Sequence, residues 1–407
     1  MQLKIKYEYL LFLIAALWVL FFSYTLQLIP HFSSIGDDSS YLYAAKLLYI
    51  NHTLDNTRPL LIAAIQGVPI LFGFSIKLVI MWGFIINFLF WFLTILVLFS
   101  LVANKFNRKI GFVFGVLFIL CLGNLAHAFN FLSESIFIFM IVWSVYFINK
   151  FYQTNKVHYI TIALLILLLN SLIKPVSIGL AVLVILFFFN KFTQIFFNKF
   201  TIALVIPLFL ILFQMYSMKK NYGNFTLSYI GSITYYNYLG TKANCYRNNM
   251  DYIESKNVRI KKMSILSSQQ MKKLASDDLK EQLTNNKVNL IMAYFNNIYS
   301  NSYKGNFIVS ECKNVNKTSY FSTFRFLFKA ISKLQNIIFT ILSFVTGIYC
   351  LFKFKNTDKF YVLLSIFILY IILISAISCD QCDRFHIAFF PLLLLLLCNF
   401  IPKKPPF

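Results

Sequence analysis

Long apolar runs separated by short polar stretches form the main pattern of the chain. Most of these runs approach the ~20 residues that an α-helix needs to cross the hydrocarbon core of a bilayer. They cover residues 9–29, 76–103, 110–127, 132–149, 159–173, 176–190, 200–217, 331–352, 360–378 and 387–400. The pattern predicts an all-α polytopic membrane protein with about ten transmembrane helices.

Two segments depart from this pattern. Residues 58–73 are apolar but short and contain Gln66, so we expect them to lie at the membrane interface. Residues 219–327 are rich in Asn, Ser, Lys and Tyr and predict one large extracytoplasmic loop. The predicted domains are therefore an N-terminal transmembrane region (1–218) with a first outer loop (30–75), the large loop (219–327) and a C-terminal transmembrane region (328–407).

The formal charge of +23 would suit a nucleic-acid-binding protein, but 59% of the residues are hydrophobic and only 13% are charged. Most lysines lie in the large loop or in short loops between apolar runs, where they set the orientation because basic loops stay in the cytoplasm. Lys4 and Lys6 precede the first run, so the N-terminus is predicted inside and residues 30–57 outside. We expect contact with membrane lipids and no nucleic-acid partner.

The few acidic residues collect on the predicted outer face. Only 14 residues are acidic, and six of them lie there close to helix ends: Asp37, Asp38, Asp55, Glu134, Asp380 and Asp383. The bases on this face outside the large loop include Arg58, Lys174 and Arg384. Ionisable groups at membrane depth are costly and tend to mark functional sites. We therefore expect an extracytoplasmic active face on the inner (plasma) membrane.

The segment IGDDSSYLY, which follows the first run, carries two adjacent carboxylates. Asp37 and Asp38 could serve as a general base, with one pKa raised by repulsion between the two groups, or could hold a divalent cation. Alternatively, the two aspartates simply cap the helix that begins here.

Three further positions each have two interpretations. Arg58 could bind a phosphate with two parallel hydrogen bonds, or extend to lipid headgroups. Glu134 could belong to a site, or only favour the dipole of the helix that it begins, with Ser133 as its cap. Lys174 lies in an outer hairpin against the charge trend, so it could hold a phosphate or contact headgroups.

The segment CDQCDRFHIAFFP places Arg384 and His386 at the start of the last apolar run. Cys379 and Cys382 form a CxxC pair in the same segment. A zinc site would need two more ligands, which Cys245 and Cys312 of the large loop could supply. Disulfides among these cysteines are the other interpretation, because an exported compartment is oxidising.

Five segments, in this order, resemble motifs of the membrane glycosyltransferases with the GT-C fold, such as protein O-mannosyltransferases and the aminoarabinose transferase that modifies lipid A (glycosyltransferase family 39). They are Asp37-Asp38-Ser39-Ser40-Tyr41; Thr57-Arg58-Pro59-Leu60 followed by Leu71-Phe72-Gly73; Leu132-Ser133-Glu134-Ser135-Ile136-Phe137; Lys174-Pro175; and Asp383-Arg384-Phe385-His386 with Pro391. Asp38 stands where the family usually has Glu, and Pro59 is single where two prolines are common.

The resemblance implies an enzyme that transfers a hexosyl or pentosyl group from a polyprenyl-phosphate-linked donor to a glycan, lipid or protein acceptor of the cell envelope, such as a surface polysaccharide or lipopolysaccharide. Asp37 would be the general base, with Asp38 and Glu134 beside it to position the acceptor. The donor and its lipid phosphate would be held by Arg58, Lys174, Arg384, His386 and Tyr41. No cofactor is implied with certainty, and a divalent cation is the one candidate.

Two other functions remain open from the sequence. A polysaccharide polymerase or ligase also combines many helices with a large outer loop, but such proteins usually rely on outer arginines and histidines. A flippase for lipid-linked glycans would not be an enzyme, and we would expect its charges along the interior of the helix bundle.

Overall fold

A computed structural model describes residues 6–28, 37–253, 257–379 and 381–402. Within these ranges the chain is helical and contains no strand. The first half contains α1 (Tyr7–Leu26), α2 (Asp38–Tyr49), α3 (Leu60–Leu71), α4 (Ile76–Lys105), α5 (Arg108–Ile119), α6 (Leu122–Ala128), α7 (Glu134–Thr154), α8 (His158–Ser171), α9 (Ser177–Phe187), α10 (Phe192–Phe196) and α11 (Val205–Tyr222).

The second half begins with the residues of the predicted extracytoplasmic loop, which are largely helical where the structure describes them. It contains α12 (Ile230–Thr234), α13 (Thr241–Arg247), α14 (Val258–Ser264), α15 (Ser268–Asn285), α16 (Lys287–Tyr303), α17 (Phe307–Glu311), α18 (Phe321–Phe352), α19 (Lys359–Ser375) and α20 (Phe390–Leu397). A π-helix at Tyr235–Gly240 joins α12 to α13, and a 3₁₀ helix at Cys382–Ala388 precedes α20. We call residues 223–320 the outer segment, after their predicted location.

Among the described residues, five helices are long and apolar enough to cross a membrane: α1, α4, α7, Thr201–Tyr222 and α18. Three bent pairs raise the number to as many as eight if each pair is one span. The pairs are α5 with α6 (64°), α9 with Phe189–Phe196 (73°) and Cys382–Ala388 with Phe390–Phe400 (45°). The protein is therefore a polytopic helical membrane protein, and one of the bends falls inside the predicted helix at residues 110–127.

Helix α7 lies at the centre of the bundle. In its most apolar stretch 72% of residues are buried, against 22% for Thr201–Tyr222 and 28% for α18, which lie at the periphery. Helix α7 packs mainly against α4 and α8. Apolar side chains on the peripheral helices stay exposed, as expected of surfaces that face lipid.

Buried amide side chains fix the turn from which α7 begins. Gln66 Nε2 of α3 donates a hydrogen bond to Leu132 O at 3.0 Å, and the Asn87 side-chain amide of α4 donates to Asn130 O. These bonds satisfy carbonyls that would otherwise be buried without a partner. The start of α7 is therefore held firmly, and it carries Glu134.

Amide side chains also attach the outer segment to the transmembrane helices. Asn301 Nδ2 of α16 donates to Ser375 O and Ser378 O at 3.1 and 3.0 Å, and Asn297 Nδ2 donates to Ala376 O at 2.9 Å. The outer segment thus packs directly on the end of α19 and on the chain that leads to the 3₁₀ helix.

Candidate active site

Five charged side chains from five separate parts of the chain meet at one end of the helix bundle. Asp37 is the N-cap of α2, Arg58 precedes α3, and Glu134 is the first residue of α7. Lys174 lies in the turn between α8 and α9, and Arg384 lies on the 3₁₀ helix. All five were predicted from the sequence as site residues, and we call them the charged cluster.

Arg384 is the centre of the charged cluster. Its Nη1 donates to Asp37 Oδ2 at 2.8 Å, and its Nε donates to Glu134 Oε1. Arg58 Nη2 lies 3.1 Å from the other Asp37 oxygen, and Lys174 Nζ donates to Glu134 Oε1 at 2.9 Å. Each carboxylate therefore holds two cations.

The loop before α3 orients Arg58. Asp55 Oδ1 accepts hydrogen bonds from the backbone N–H groups of Thr57 and Arg58 at 2.7 and 2.6 Å. Arg58 Nε donates to Ser40 Oγ at 2.9 Å, and the guanidinium lies 4.3 Å from the centre of the Tyr41 ring. Asp55, for which no specific role was predicted, thus supports Arg58.

Tyr41 connects the start of α2 to the start of α7. It is 3% exposed, and its hydroxyl lies 2.9 Å from Ser133 Oγ in a buried hydrogen bond. Its ring forms the platform beneath Arg58. The structure therefore brings Tyr41 into the same site as the charged cluster, through its ring rather than through its hydroxyl.

Asp38 lies next to the charged cluster but does not face the cavity. It is 2% exposed and does not line the cavity described below; its Oδ2 accepts a hydrogen bond from Phe131 N–H at 3.3 Å. Its Oδ1 is buried with no hydrogen-bond partner among the described residues. Burial outweighs the opposing hydrogen bond from Phe131 and raises the pKa of Asp38 to about 7.

Asp37 has the opposite electrostatic behaviour. Burial tends to raise its pKa, but the guanidinium groups of Arg384 and Arg58 outweigh that effect and hold the pKa below its usual value. Its side chain is 42% exposed, whereas that of Glu134 is 1% exposed. Asp37 is therefore the ionised carboxylate that an incoming molecule can reach.

The charged cluster has an excess of positive charge. Three cations face two carboxylates, and Asp38 adds a further negative charge only when it ionises. Glu134 Oε2 is buried and has no hydrogen-bond partner among the described residues, because both cations bind Oε1. The arrangement thus offers cations to an anion, while the unpaired oxygen of Glu134 stays buried.

An open cavity of about 1040 Å³ lies beside the charged cluster, and all five members of the cluster line it. Part of the lining is apolar and comes from α9 and α19, with Ile178, Leu180, Ile371 and Ile374. The outer segment adds a third wall, which includes the residues Thr226, Ser228, Ile230, Thr234, Tyr235 and Asn237. A long amphiphilic molecule with an anionic group matches such a cavity.

The structure does not bring His386 into this site. His386 is fully buried and outside the cavity lining; its Nδ1 lies 3.0 Å from Thr340 Oγ1 and 3.2 Å from Asn336 Oδ1, and its Nε2 lies 3.3 Å from Ser375 Oγ. In a 3₁₀ helix, residues three apart lie on one side, so His386 shares its side with Asp383 rather than with Arg384. His386 therefore joins α18 and α19 to the 3₁₀ helix.

Asp383, which was predicted on the outer face, lies in a second buried polar group whose other members, Asn306 and His127, were not predicted. Asp383 accepts hydrogen bonds from Asn306 Nδ2 at 3.0 and 3.2 Å and lies 3.6 Å from His127 Nε2. A Cβ atom at Gly123 would overlap Asp383 Oδ2. Gly123 thus permits the close approach of α6 that keeps the 3₁₀ helix in place.

No zinc or other metal site is formed among the described residues, where no three His, Cys, Asp or Glu side chains converge as metal ligands. Cys245 and Cys312 are buried free thiols, in α13 and after α17. Asp380, which was also assigned to the outer face, lies outside the described residues. In the charged cluster, cationic side chains already occupy the oxygens of Asp37 and Glu134 Oε1, where a divalent cation would bind.

Comparisons with known proteins add no assignment to this geometry. No protein-family model matches the sequence, and no curated protein matches it significantly.

Proposed function

We propose that this chain is a membrane glycosyltransferase with a GT-C-like bundle of about ten transmembrane helices, which uses a polyprenyl-phosphate-linked sugar as its donor. The proposal places the active face on the extracytoplasmic side of the plasma membrane. It rests mainly on one observation: Asp37, an accessible carboxylate, shares a cavity with Arg58, Arg384 and Lys174.

The donor class follows from the two surfaces of the cavity. The cations of the charged cluster suit a phosphodiester, and the apolar wall from α9 and α19 suits the first isoprene units of its lipid. A polyprenyl-linked sugar cannot leave the bilayer, so its reacting carbon must be met where the helices end. The charged cluster lies at that level, at the start of α7.

The reaction has one bond formed and one broken. The acceptor oxygen attacks the anomeric carbon while the bond from that carbon to the phosphate oxygen breaks, which inverts the configuration. Asp37 takes the proton of the acceptor hydroxyl or amine, and the lipid phosphate departs with the bonding electrons. Arg58, Arg384 and Lys174 stabilise the charge that develops on this phosphate.

The arginines link donor binding to the basicity of Asp37. In the free protein both guanidinium groups hold the Asp37 pKa low, which makes the carboxylate a weak base. A phosphate in the cavity competes for the same guanidinium groups. As they turn to the phosphate, Asp37 loses part of its stabilisation and becomes a stronger base. Glu134 keeps Lys174 and Arg384 in place during this exchange.

The outer segment is the proposed acceptor-binding part. Its wall of the cavity includes the polar residues Thr226, Ser228, Thr234, Tyr235 and Asn237. Hydroxyl and amide groups beside an aromatic ring are well suited to hydrogen-bond and stack on a sugar. A glycan or glycolipid acceptor fits this wall better than an apolar one.

Replacing Asp37 by Asn tests the proposal. D37N keeps the shape of the side chain but removes the base, so we expect sugar transfer to fall at least about 100-fold. Binding of a polyprenyl phosphate should be retained or strengthened, because the arginines lose a competing anion. The assays are mass spectrometry of surface glycans and lipids in cells that carry each variant, and lipid-phosphate binding by the purified protein.

Glu8→Gln is the matched control, because Glu8 is an exposed acid paired with Arg108, outside the charged cluster. E8Q should transfer sugar as the wild type does. Full modification of surface glycans by D37N would refute Asp37 as the base, and would favour a flippase or another non-enzymatic role.

A further inference from the structure

A second cavity, of about 530 Å³, lies at the opposite end of the bundle. It is lined by the ends of α7 and α9, by the turn after α9 and by the start of α19. Helix α7 begins in the charged cluster with Glu134 and ends at Thr154, next to the cavity residue Asn155. Its 21 residues span about 30 Å, which equals the hydrocarbon thickness of a bilayer. The two cavities therefore lie at opposite membrane interfaces.

The lining of the second cavity combines aromatic rings with lysines and contains no acid. Phe151 and Tyr152 contact Phe188, with ring centres 5.4 and 6.1 Å apart. Lys191 Nζ lies 5.6 Å from the centre of the Phe151 ring, and Lys359 is exposed at the start of α19. Among the described residues neither lysine makes an ion pair, so both charges remain available.

Where α7 and α9 end at the second cavity, backbone groups already have hydrogen-bond partners. The Asn155 N–H donates to Phe151 O at 2.7 Å, and the Lys191 N–H donates to Phe188 O at 2.8 Å. The lysine side chains are thus not required to cap these carbonyls. Next to them, Leu186 and Phe189 are 62% and 67% exposed on the apolar surface of the bundle.

We infer that this cavity binds the headgroup of an anionic phospholipid. Its phosphate lies between Lys191 and Lys359, the amide groups of Asn155 and Asn190 are placed for its polar oxygens, and its acyl chains follow Leu186 and Phe189. A basic cavity between helices at the interface is the kind of site that anionic lipids occupy. The site is separate from the charged cluster and does not depend on the proposed function.

The test compares two double variants of the full-length protein that lose the same charge. K191Q/K359Q removes the lysines of the cavity, whereas K353Q/K355Q removes exposed lysines of the same region that do not line it. We expect affinity for phosphatidylglycerol to fall at least about tenfold in the first variant and to stay unchanged in the second. Native mass spectrometry of lipid retention, with phosphatidylcholine for comparison, measures this.

Three outcomes would overturn the inference: equal losses in both double variants, unchanged affinity in K191Q/K359Q, or displacement of the lipid by millimolar inorganic phosphate, which would identify a site for a free anion. A photo-crosslinking residue at Phe189 gives a second readout in the otherwise unchanged protein. It should capture phosphatidylglycerol in preference to phosphatidylcholine, whereas one at the similarly exposed Phe209 of α11 should show no preference. Equal capture at both positions would also refute the site.

Discussion

Asp37 and Asp38 are adjacent in the chain, yet their carboxylates have different surroundings. Asp37 faces the cavity between two guanidinium groups, while Asp38 faces the protein interior and receives one backbone N–H. A shared loop thus produces one ionised and one readily protonated carboxylate. Their environments, rather than their repulsion alone, separate the two pKa values.

Asp38→Asn should change how stability depends on pH. The folded pKa of Asp38 is about 7, above its usual value of 3.8, so folding favours the protonated form. The contribution of Asp38 is fully present below pH ~4 and is lost as pH rises through 7, at up to about 1.4 kcal/mol per pH unit. We therefore expect D38N to gain thermal stability relative to wild type between pH 5 and 8.

Melting curves in detergent at pH 5, 6.5 and 8 measure this difference. Glu8→Gln is the control, because Glu8 is an exposed surface acid whose ion pair with Arg108 contributes little. A difference between D38N and wild type that stays constant with pH would contradict the raised pKa of Asp38.

Individual site residues were predictable where a charge interrupted the apolar pattern. Arg58, Glu134, Lys174 and Arg384 each stood near the predicted outer end of a run, and the predicted topology placed them together. Their pairing was not predictable, because Asp37 and Arg384 are separated by most of the chain. His386 lies outside the site for a local reason, since the sequence alone did not reveal that a 3₁₀ helix turns it away from Arg384.

The bent pair α5–α6 shows how one glycine can control the position of a distant arginine. Gly123 of α6 lies against Asp383, and Asp383 is followed directly by Arg384. Gly123→Ala should push the 3₁₀ helix away, since the added Cβ meets a buried carboxylate that also contacts Asn306 and His127. We expect a loss of about 1–3 kcal/mol in stability, as for other overpacked buried positions, together with weaker lipid-phosphate binding.

Gly347→Ala is the comparison for this change. A Cβ at Gly347 of α18 meets its nearest neighbour, Leu369, at 3.4 Å, an ordinary contact. Because Ala favours helix more than Gly does, G347A should be neutral or slightly stabilising. Thermal unfolding of G123A and G347A tests this comparison. Equal changes of stability in the two variants would show that Asp383 can move aside without cost.

Apolar runs predicted where helices lie but not where they bend. Residues 110–127 were predicted as one helix, yet the chain turns by 64° between Ile119 and Leu122. A run of apolar residues has the same hydropathy whether it is straight or bent, so no signal marked the break. The helices of the outer segment were harder still to predict from the sequence, because they have polar surfaces and lack a continuous apolar run.

The charged cluster lies at one end of the helix bundle, and basic loops lie at the other end. The charge rule predicts that the outer segment is outside the cell and the loop before α19 inside. A cysteine at Val288, which is 71% exposed on α16, should react with a membrane-impermeant maleimide in intact cells. A cysteine at the exposed Lys355 should react only after permeabilisation.

Both reporters are best placed in a variant in which the half-buried Cys382 is replaced by serine, because the other cysteines are buried. Labelling of the Lys355 reporter alone in intact cells would reverse the predicted orientation. It would also move the proposed active face to the cytoplasmic side.

The sharing of Asp37 between two arginines has a kinetic consequence under the proposed function. An acceptor that bound first would find the Asp37 carboxylate still paired with Arg58 and Arg384, and therefore a weak base. The donor can release that base, because its phosphate competes for the two arginines. For an acceptor without an anionic group, the two substrates would then enter in a fixed order, donor before acceptor.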